Sequence, residues 1–92
     1  MSYTITNYSK QKAKEYDVII KPSKKKNKKI DIYKDNKLIA SIGQKGYKDY
    51  GKFLEEDGKE FADTRRKLYK IRHQKNRNIK NTPGYWSDKI LW

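Results

Sequence analysis

The sequence predicts an α+β fold, in which a small antiparallel β-meander of about three strands at residues 16–42 is followed by two or three short helices packed on it. Between residues 16 and 42, short runs of β-forming residues alternate with polar turn residues. From residue 47 onward, the apolar residues recur at the spacing of a helix. The 92 residues are 34% hydrophobic, which is enough for one modest core and no second one.

The segment before the sheet is polar. Residues 1–14 carry three lysines and show no sustained hydrophobic period, which predicts a flexible basic arm. Residues 15–92 are then the single small basic domain. The first strand is expected in the β-forming run from Tyr16 to Ile20, and Pro22 ends it because proline cannot donate to a strand ladder.

A lysine-rich loop and two further strands follow. Five of the seven residues from Ser23 to Lys29 are lysines. Ile30 and Ile32 then alternate with polar or aromatic residues, which is the pattern of a half-buried strand. Asp35-Asn36 predicts a turn, since both residue types tolerate left-handed backbone conformations. The third strand is predicted at residues 38–42.

The C-terminal half is predicted to be helical. Apolar residues at helical spacing indicate a short helix over residues 47–54, followed by an acidic loop at residues 55–60. A second helix is expected at about residues 61–75, with Phe61, Leu68 and Ile71 turned toward the core on one face. A polar linker, a turn at Thr82-Pro83-Gly84 and an amphipathic closing segment complete the pattern.

Charge is the dominant feature of the composition. The chain has 24 lysine and arginine residues against 11 aspartate and glutamate residues, a formal net charge of +13. That much like charge repels itself in a compact state, so the sequence predicts an anionic partner, in the first place nucleic acid. The excess of lysine over arginine favours phosphate contact with little sequence preference. A genome rich in A and T would explain that excess equally well, but not the net charge.

Two basic segments make up the predicted nucleic-acid site. The lysine-rich loop would present ammonium groups to successive phosphates from a hairpin stem, unless it is simply a solvated hairpin tip. On the second predicted helix, Arg65, Tyr69 and Arg72 share a stripe that is typical of surfaces on which bases stack. The alternative is that these arginines pair with acidic residues of the chain itself. The predicted site residues are Lys24, Lys25, Lys26, Lys28, Lys29, Arg65, Arg66, Tyr69, Lys70 and Arg72.

No combination of residues indicates an enzyme. His73 is the only histidine and there is no cysteine, which is too little for a zinc site. Ser23 and Ser41 have no recognisable base partner, and the segment from Gly43 to Gly46 is too short for a phosphate-binding loop. The sequence therefore predicts no catalytic residue, no metal, no cofactor and no small-molecule substrate. Its longest apolar run, residues 18–20, also predicts no transmembrane segment.

The two tryptophans have two interpretations. Trp86 and Trp92 either fold back to complete the core or project to anchor a partner protein. The first is favoured because the chain has so little else to bury. The second would suit a structural protein whose basic surface contacts acidic proteins or a membrane, with these tryptophans as anchors.

Two motifs in the C-terminal half can be compared with known families. The first is Arg65-Arg66-x-x-Tyr69-x-x-Arg72-His73, and the second is Thr82-Pro83-Gly84-Tyr85-Trp86-Ser87-x-x-Ile90-Leu91-Trp92. With the lysine-rich hairpin and the segment Gly46-Tyr47-Lys48-Asp49-Tyr50, they resemble a family of small basic proteins of nucleocytoplasmic large DNA viruses. The resemblance covers roughly residues 16–92.

The resemblance implies a viral protein that is associated with the virion and, during assembly, with the virus factory in the host cytoplasm. A viral genome rich in A and T would also account for the composition. In this setting DNA is expected as the partner rather than RNA, and capsid proteins are the alternative partner.

Overall fold

The computed structural model describes residues 3–92 and confirms the predicted α+β class, with a three-stranded antiparallel sheet and helices packed on it. In chain order the elements of these residues are α1 (Asn7–Glu15), β1 (Ile19–Pro22), β2 (Lys28–Lys34), β3 (Lys37–Gln44), α2 (Tyr50–Asp57), α3 (Lys59–Arg72), α4 (Gln74–Arg77) and α5 (Pro83–Ile90). Within them, no helix has both the length and the apolar character that a membrane span requires.

The sheet has the order β1-β2-β3. Ile30 pairs with Ile42 and Ile32 with Ala40, so that these alternating side chains share the face that is turned to the core. The tight β2–β3 turn has positive φ angles of 52° at Asp35 and 65° at Asn36, as the residue types of this dipeptide predict.

Pro22 ends β1, as predicted. It is the last residue of that strand and pairs with Ile30 at the edge of the sheet. An edge strand tolerates proline because the amide it lacks would otherwise face solvent. The strand begins at Ile19 and not at Tyr16, and it includes Lys21 and Pro22 beyond the β-forming run.

The buried residues form two clusters rather than the single core that was predicted. The larger cluster lies between the sheet, α1 and α5, and includes Ile32, Trp86 and Ile90. The smaller one joins α2 to α3 through Tyr50, Phe53 and Ala62. Trp92 packs against both clusters and connects them.

Most of the predicted basic arm is instead a helix packed on the body of the protein. Thr6 caps α1 by accepting a hydrogen bond from the amide of Ser9 at 3.2 Å. The Ser9 hydroxyl donates to the carbonyl of Ile90 at 2.9 Å, and both Ser9 and Ala13 are buried. Because the buried face is made of such small residues, it leaves no hydrophobic period in the sequence. Residues 1 and 2 of the predicted arm lie outside the described residues.

The predicted acidic loop belongs to two helices. Residues 55–57 form the last turn of α2, and Gly58, with φ of 88°, joins α2 to α3. The predicted helix at 61–75 begins at Lys59 and is divided at His73 into α3 and α4. The predicted turn at Thr82 is the start of α5, where the threonine hydroxyl accepts from the amide of Tyr85 at 3.2 Å.

The apolar face assigned to the second helix is not in the core. Phe61, Leu68 and Ile71 are 49%, 45% and 64% exposed. Helix α3 instead turns Ala62 and Tyr69 toward the body, and Ala62 is completely buried against the smaller cluster. A small residue at this contact lets α3 lie close to α2, and the larger apolar side chains are left on the outer side.

Gly51 gives a test of the contact between α1 and α2. A glycine-to-alanine change inside a helix normally stabilises it by about 1 kcal/mol. Here an added Cβ would overlap Thr6 Oγ1 and lie 2.8 Å from Thr6 Cβ, in a buried position. We therefore expect Gly51→Ala to lower the free energy of unfolding by about 1–3 kcal/mol, measured by urea denaturation. An increase in the unfolding midpoint would show that α1 does not pack on α2 in this way.

Candidate nucleic-acid interface

The loop between β1 and β2, called here the lysine loop (residues 23–28), is exposed and positively charged. Asp31 holds it at its base, because the Oδ1 atom accepts hydrogen bonds from the hydroxyls of Ser23 and Ser41, both at 2.7 Å. Burial would raise the pKa of Asp31, but these two hydroxyls hold it below its usual value. The lysines that this loop exposes are Lys24, Lys25, Lys26 and Lys28, and none of them forms an ion pair with residues 3–92.

Lys29, the fifth predicted phosphate contact, is a structural residue. Its side chain is 4% exposed, and its Nζ atom lies 3.1 Å from Oδ2 of the equally buried Asp49. The same ammonium group donates to the carbonyl of Tyr47. The prediction for Lys29 is therefore wrong, since this amine ties β2 to the start of α2 and cannot reach a phosphate outside.

On α3, Tyr69 is the aromatic residue of the predicted stripe, and its ring belongs to a longer series of rings. The ring of Tyr69 is stacked on that of Trp92, with centroids 4.4 Å apart and an interplanar angle of 6°. The ring of His73 lies 4.4 Å from that of Tyr69, and Phe53 lies 6.1 Å from Trp92. His73, Tyr69, Trp92 and Phe53 are called the aromatic row below.

The aromatic row lines a cavity of about 370 Å³ between the β3–α2 connection, α3 and α5. Cationic side chains surround the same space, namely Lys48 from the connection and Arg65 and Arg72 from α3. The guanidinium carbon of Arg65 lies 5.4 Å from the Phe53 ring centroid, so this arginine is positioned over an aromatic face. The volume lies at the small end of the range of about 300–1,000 Å³ that ligand sites occupy.

Burial and a nearby negative charge raise the pKa of the Tyr69 hydroxyl further above the physiological range. Its burial and the negative charge of Asp88 raise the pKa of Tyr69 to about 12, although Arg77 opposes the shift. The hydroxyl therefore carries its proton over the whole physiological range.

Two other predicted contacts on α3 are occupied within the chain. The guanidinium carbon of Arg66 lies 4.0 Å above the ring of Tyr50, and one of its nitrogens lies 3.4 Å from Asp63 Oδ1. The Nζ atom of Lys70 lies 2.6 Å from Oδ1 of Asp88. Of the four α3 cations that were predicted to bind phosphates, only Arg65 and Arg72 form no ion pair with residues 3–92.

Asp88 connects α3 and α4 to α5. This carboxylate is buried, and it also lies 3.2 Å from Lys89 Nζ and 3.9 Å from a guanidinium nitrogen of Arg77. Burial would raise the pKa of Asp88, but Lys70 and Lys89 hold it below its usual value. These cations serve the fold and are not free for a partner.

The lysine loop and the cavity adjoin each other. Lys28 pairs with Gln44 in the sheet, and Gln44 also lines the cavity. The amide of Lys45 donates to the carbonyl of Asn27 in the loop at 3.1 Å. Cations that are far apart in the sequence therefore meet at one end of the molecule. This basic end consists of Lys24, Lys25, Lys26, Lys28, Lys45, Lys48, Arg65 and Arg72.

The two tryptophans have different environments. Trp86 is 5% exposed within the larger cluster, as the favoured interpretation expects, so the alternative that it projects to anchor a partner is wrong. Trp92 is only partly buried, and it contributes both to the core and to the cavity wall.

Several cavity residues were not predicted from the sequence. Lys48, Phe53 and Gln44 come from segments that precede α3 by many residues, and no local pattern places them beside it. The motif comparison drew attention to the segment around Lys48, and His73 was otherwise considered only as a zinc ligand. Comparison of the chain with protein-family models, curated proteins and solved structures finds no match.

The structural role of Lys29 predicts a large effect on stability. Lys29→Ala leaves the Asp49 carboxylate buried without its cation, so the free energy of unfolding should fall by about 3–5 kcal/mol in urea denaturation. The matched control is Lys28→Ala, which removes an exposed neighbour and should change stability by no more than about 0.5 kcal/mol. Equal effects of the two changes would contradict the buried pair.

The lowered pKa of Asp88 predicts an acid-sensitive contribution to stability. Unfolded Asp88 has a pKa near 3.8 and the folded residue a lower one, so at acidic pH the unfolded state binds more protons. The contribution is present at neutral pH and is lost as pH falls through the folded pKa. Asp88→Asn should therefore be less stable than the wild type at pH 7, by a margin that shrinks below about pH 4 in urea denaturation.

A suitable control for this change is Asp35→Asn. Asp35 is an exposed turn residue with positive φ, which asparagine also tolerates, and it forms no ion pair with residues 3–92. Its substitution should leave the pH profile unchanged. If the difference in free energy of unfolding between Asp88→Asn and the wild type stays constant from neutral to acidic pH, the pKa of Asp88 is not lowered by folding.

Proposed function

We propose that this chain binds nucleic acid through the phosphate backbone, with little sequence preference and without catalysis, and that the basic end is the contact surface. The observation that carries the proposal is the meeting of cations from three separate segments at that end. Of these cations only Lys48 forms an ion pair with residues 3–92, with Glu56 and Asp57. Seven of the 24 cationic side chains form ion pairs with acidic groups of residues 3–92, which leaves most of the positive charge without an internal partner.

The kinds of side chain at the basic end support backbone contact. Lysine carries a mobile point charge that suits phosphate oxygens, whereas reading base edges in a groove usually needs the planar fork of arginine. Only Arg65 and Arg72 supply such forks there, and both adjoin the cavity. A surface of this kind would distinguish nucleic acid from other molecules by charge density and would not distinguish one duplex sequence from another.

DNA is the proposed nucleic acid, because the viral setting implied by the sequence resemblance provides a DNA genome. Association with the virion and with the host cytoplasm during assembly is part of the same proposal. Fractionation of purified particles into shell and genome-containing core, followed by detection of this chain, tests that placement. Recovery with the core supports a genome-binding role.

The proposal predicts a steep dependence of affinity on salt. If the four exposed lysines of the loop and the two arginines each contact one phosphate, the logarithm of the association constant should fall with the logarithm of salt concentration with a slope of about −5 on duplex DNA. Replacing Lys25 and Lys26 by glutamine should reduce the magnitude of that slope by about 2 in fluorescence anisotropy titrations. Duplexes of unrelated sequence should give the same values.

The β2–β3 turn provides a matched control. Lys34 and Lys37 are also exposed lysines of a hairpin tip, but they lie at the opposite end of β2, about 20 Å from Lys28. Replacing both by glutamine changes the net charge by the same amount and should leave the slope nearly unchanged. If both pairs reduce it equally, the whole surface binds and the basic end has no special role.

A second candidate function is favoured by the exposed apolar side chains of α3. Phe61, Leu68 and Ile71 are about half exposed or more on one side of that helix, which suits contact with another protein. This candidate is the minor capsid or cement protein that contacts acidic capsid proteins or the inner membrane. It predicts weak binding to nucleic acid and recovery of the chain with shells stripped of genome.

A further inference from the structure

We propose that the cavity lined by the aromatic row holds the base of an unpaired nucleotide, so that the protein prefers single-stranded over duplex nucleic acid. This inference rests on the proposed function and names the form of nucleic acid that the basic end takes. It goes beyond phosphate neutralisation, because it assigns a role to a concave, partly apolar site that neutralisation does not require.

The spacing of side chains on α3 matches a nucleotide flanked by phosphates. Arg65 and Arg72 are seven residues apart, which separates them by about 10 Å along the helix axis. Tyr69 lies between them and forms part of the cavity wall. Two guanidinium groups can therefore hold the phosphates on either side of a nucleotide whose base enters between them.

The wall of the cavity suits a flat, neutral, aromatic group. Tyr69 lies between His73 and Trp92, whose ring centroids are each 4.4 Å from its own, so a base in the cavity meets the edge of Tyr69 and the outer rings of the row. Bases stack on such rings whatever their identity, because every base has a π face. The site would therefore add affinity without adding sequence preference.

Duplex DNA cannot use this site. Its bases are stacked and paired inside the helix, so they reach an aromatic wall only after extrusion, which costs a few kcal/mol. A cavity of about 370 Å³ has room for one small ligand and not for a base pair with its backbone. The lysine loop next to it can meanwhile hold the phosphates of the flanking strand.

Charge alone would give the opposite preference. Each phosphate contact releases more counterion on duplex DNA than on a single strand, with salt slopes of about 0.9 and 0.7 per contact. A higher affinity for the single strand must therefore come from the bases. The informative comparison is between strands that carry the same phosphates with and without bases.

The experiment uses the full chain and four ligands at one salt concentration. They are an oligothymidylate of about twelve nucleotides, an abasic strand with the same number of phosphates, a blunt hairpin duplex with the same number, and thymidine monophosphate. We expect the oligothymidylate to bind about tenfold more tightly than the abasic strand and the duplex, and the mononucleotide to bind much more weakly than the oligothymidylate.

Each other outcome is decisive. Equal affinity for the thymidylate and abasic strands would overturn the cavity assignment and leave the proposed function standing. If the mononucleotide binds as tightly as the strand, the cavity is a site for free nucleotides and not for a nucleotide within a strand. No binding to any strand or duplex at low salt would reject the proposed function itself.

Variants at Tyr69 locate the effect. Tyr69→Leu should reduce the thymidylate affinity to that of the abasic strand and leave duplex binding unchanged, whereas Tyr69→Phe keeps the ring and should keep the preference. Far-UV circular dichroism and urea denaturation establish that both variants fold. In a Trp86→Phe background, the fluorescence of Trp92 should be quenched by the thymidylate strand and not by the abasic one, which tests the same contact without altering Tyr69.

Discussion

The buried ion pair between Lys29 and Asp49 is the contact on which the arrangement of this molecule depends. It joins the first residues of β2 to the N-terminal cap of α2, where Asp49 Oδ1 also accepts from the amide of Lys52 at 3.0 Å. The same carboxylate accepts a hydrogen bond from the hydroxyl of Tyr3 at 2.5 Å. The β3–α2 connection ends at this cap and lines the cavity opposite α3. The pair therefore fixes that wall of the cavity.

Two further buried carboxylates act in a similar way, and together they explain how so basic a chain folds around so few apolar residues. Asp31 secures the lysine loop, and Asp88 holds cations from three helices against the larger cluster. A charge can be buried only where it is paired and hydrogen-bonded, so each acid engages partners close to it. The remaining cations are left at the surface, and those of the lysine loop and α3 converge at one end.

The sheet could be predicted from the sequence because its signals are local. The alternation around Ile30 and Ile32 and the turn residues Asp35-Asn36 each lie within a few positions of the feature that they specify. Helix α1 could not be predicted, since Ser9 and Ala13 give its buried face no apolar period. The helix that carries Arg65, Tyr69 and Arg72 was predicted. Its apolar residues on the outer side, however, resemble a core face in the sequence.

The site could be predicted only in part, for a related reason. Lys29 differs in no local way from the lysines before it, and its partner Asp49 is twenty positions away. Pairing of Arg66 and Lys70 likewise depends on Asp63 and on the distant Asp88. The cavity draws its wall from α2, α3 and α5, so its existence follows from packing and not from any single motif.

Trp92 has a consequence for how this protein can be studied. The same ring joins the two buried clusters and forms part of the cavity wall, and the hydroxyl of Tyr8 on α1 donates to the carbonyl of Trp92 at 2.9 Å. Occupancy of the cavity and resistance to unfolding are therefore thermodynamically linked, because a ligand on this ring stabilises the joint between the clusters. A shift in melting temperature becomes a direct screen for ligands of this site. Conversely, loss of binding in a Trp92 variant would reflect a loosened scaffold as much as a missing contact.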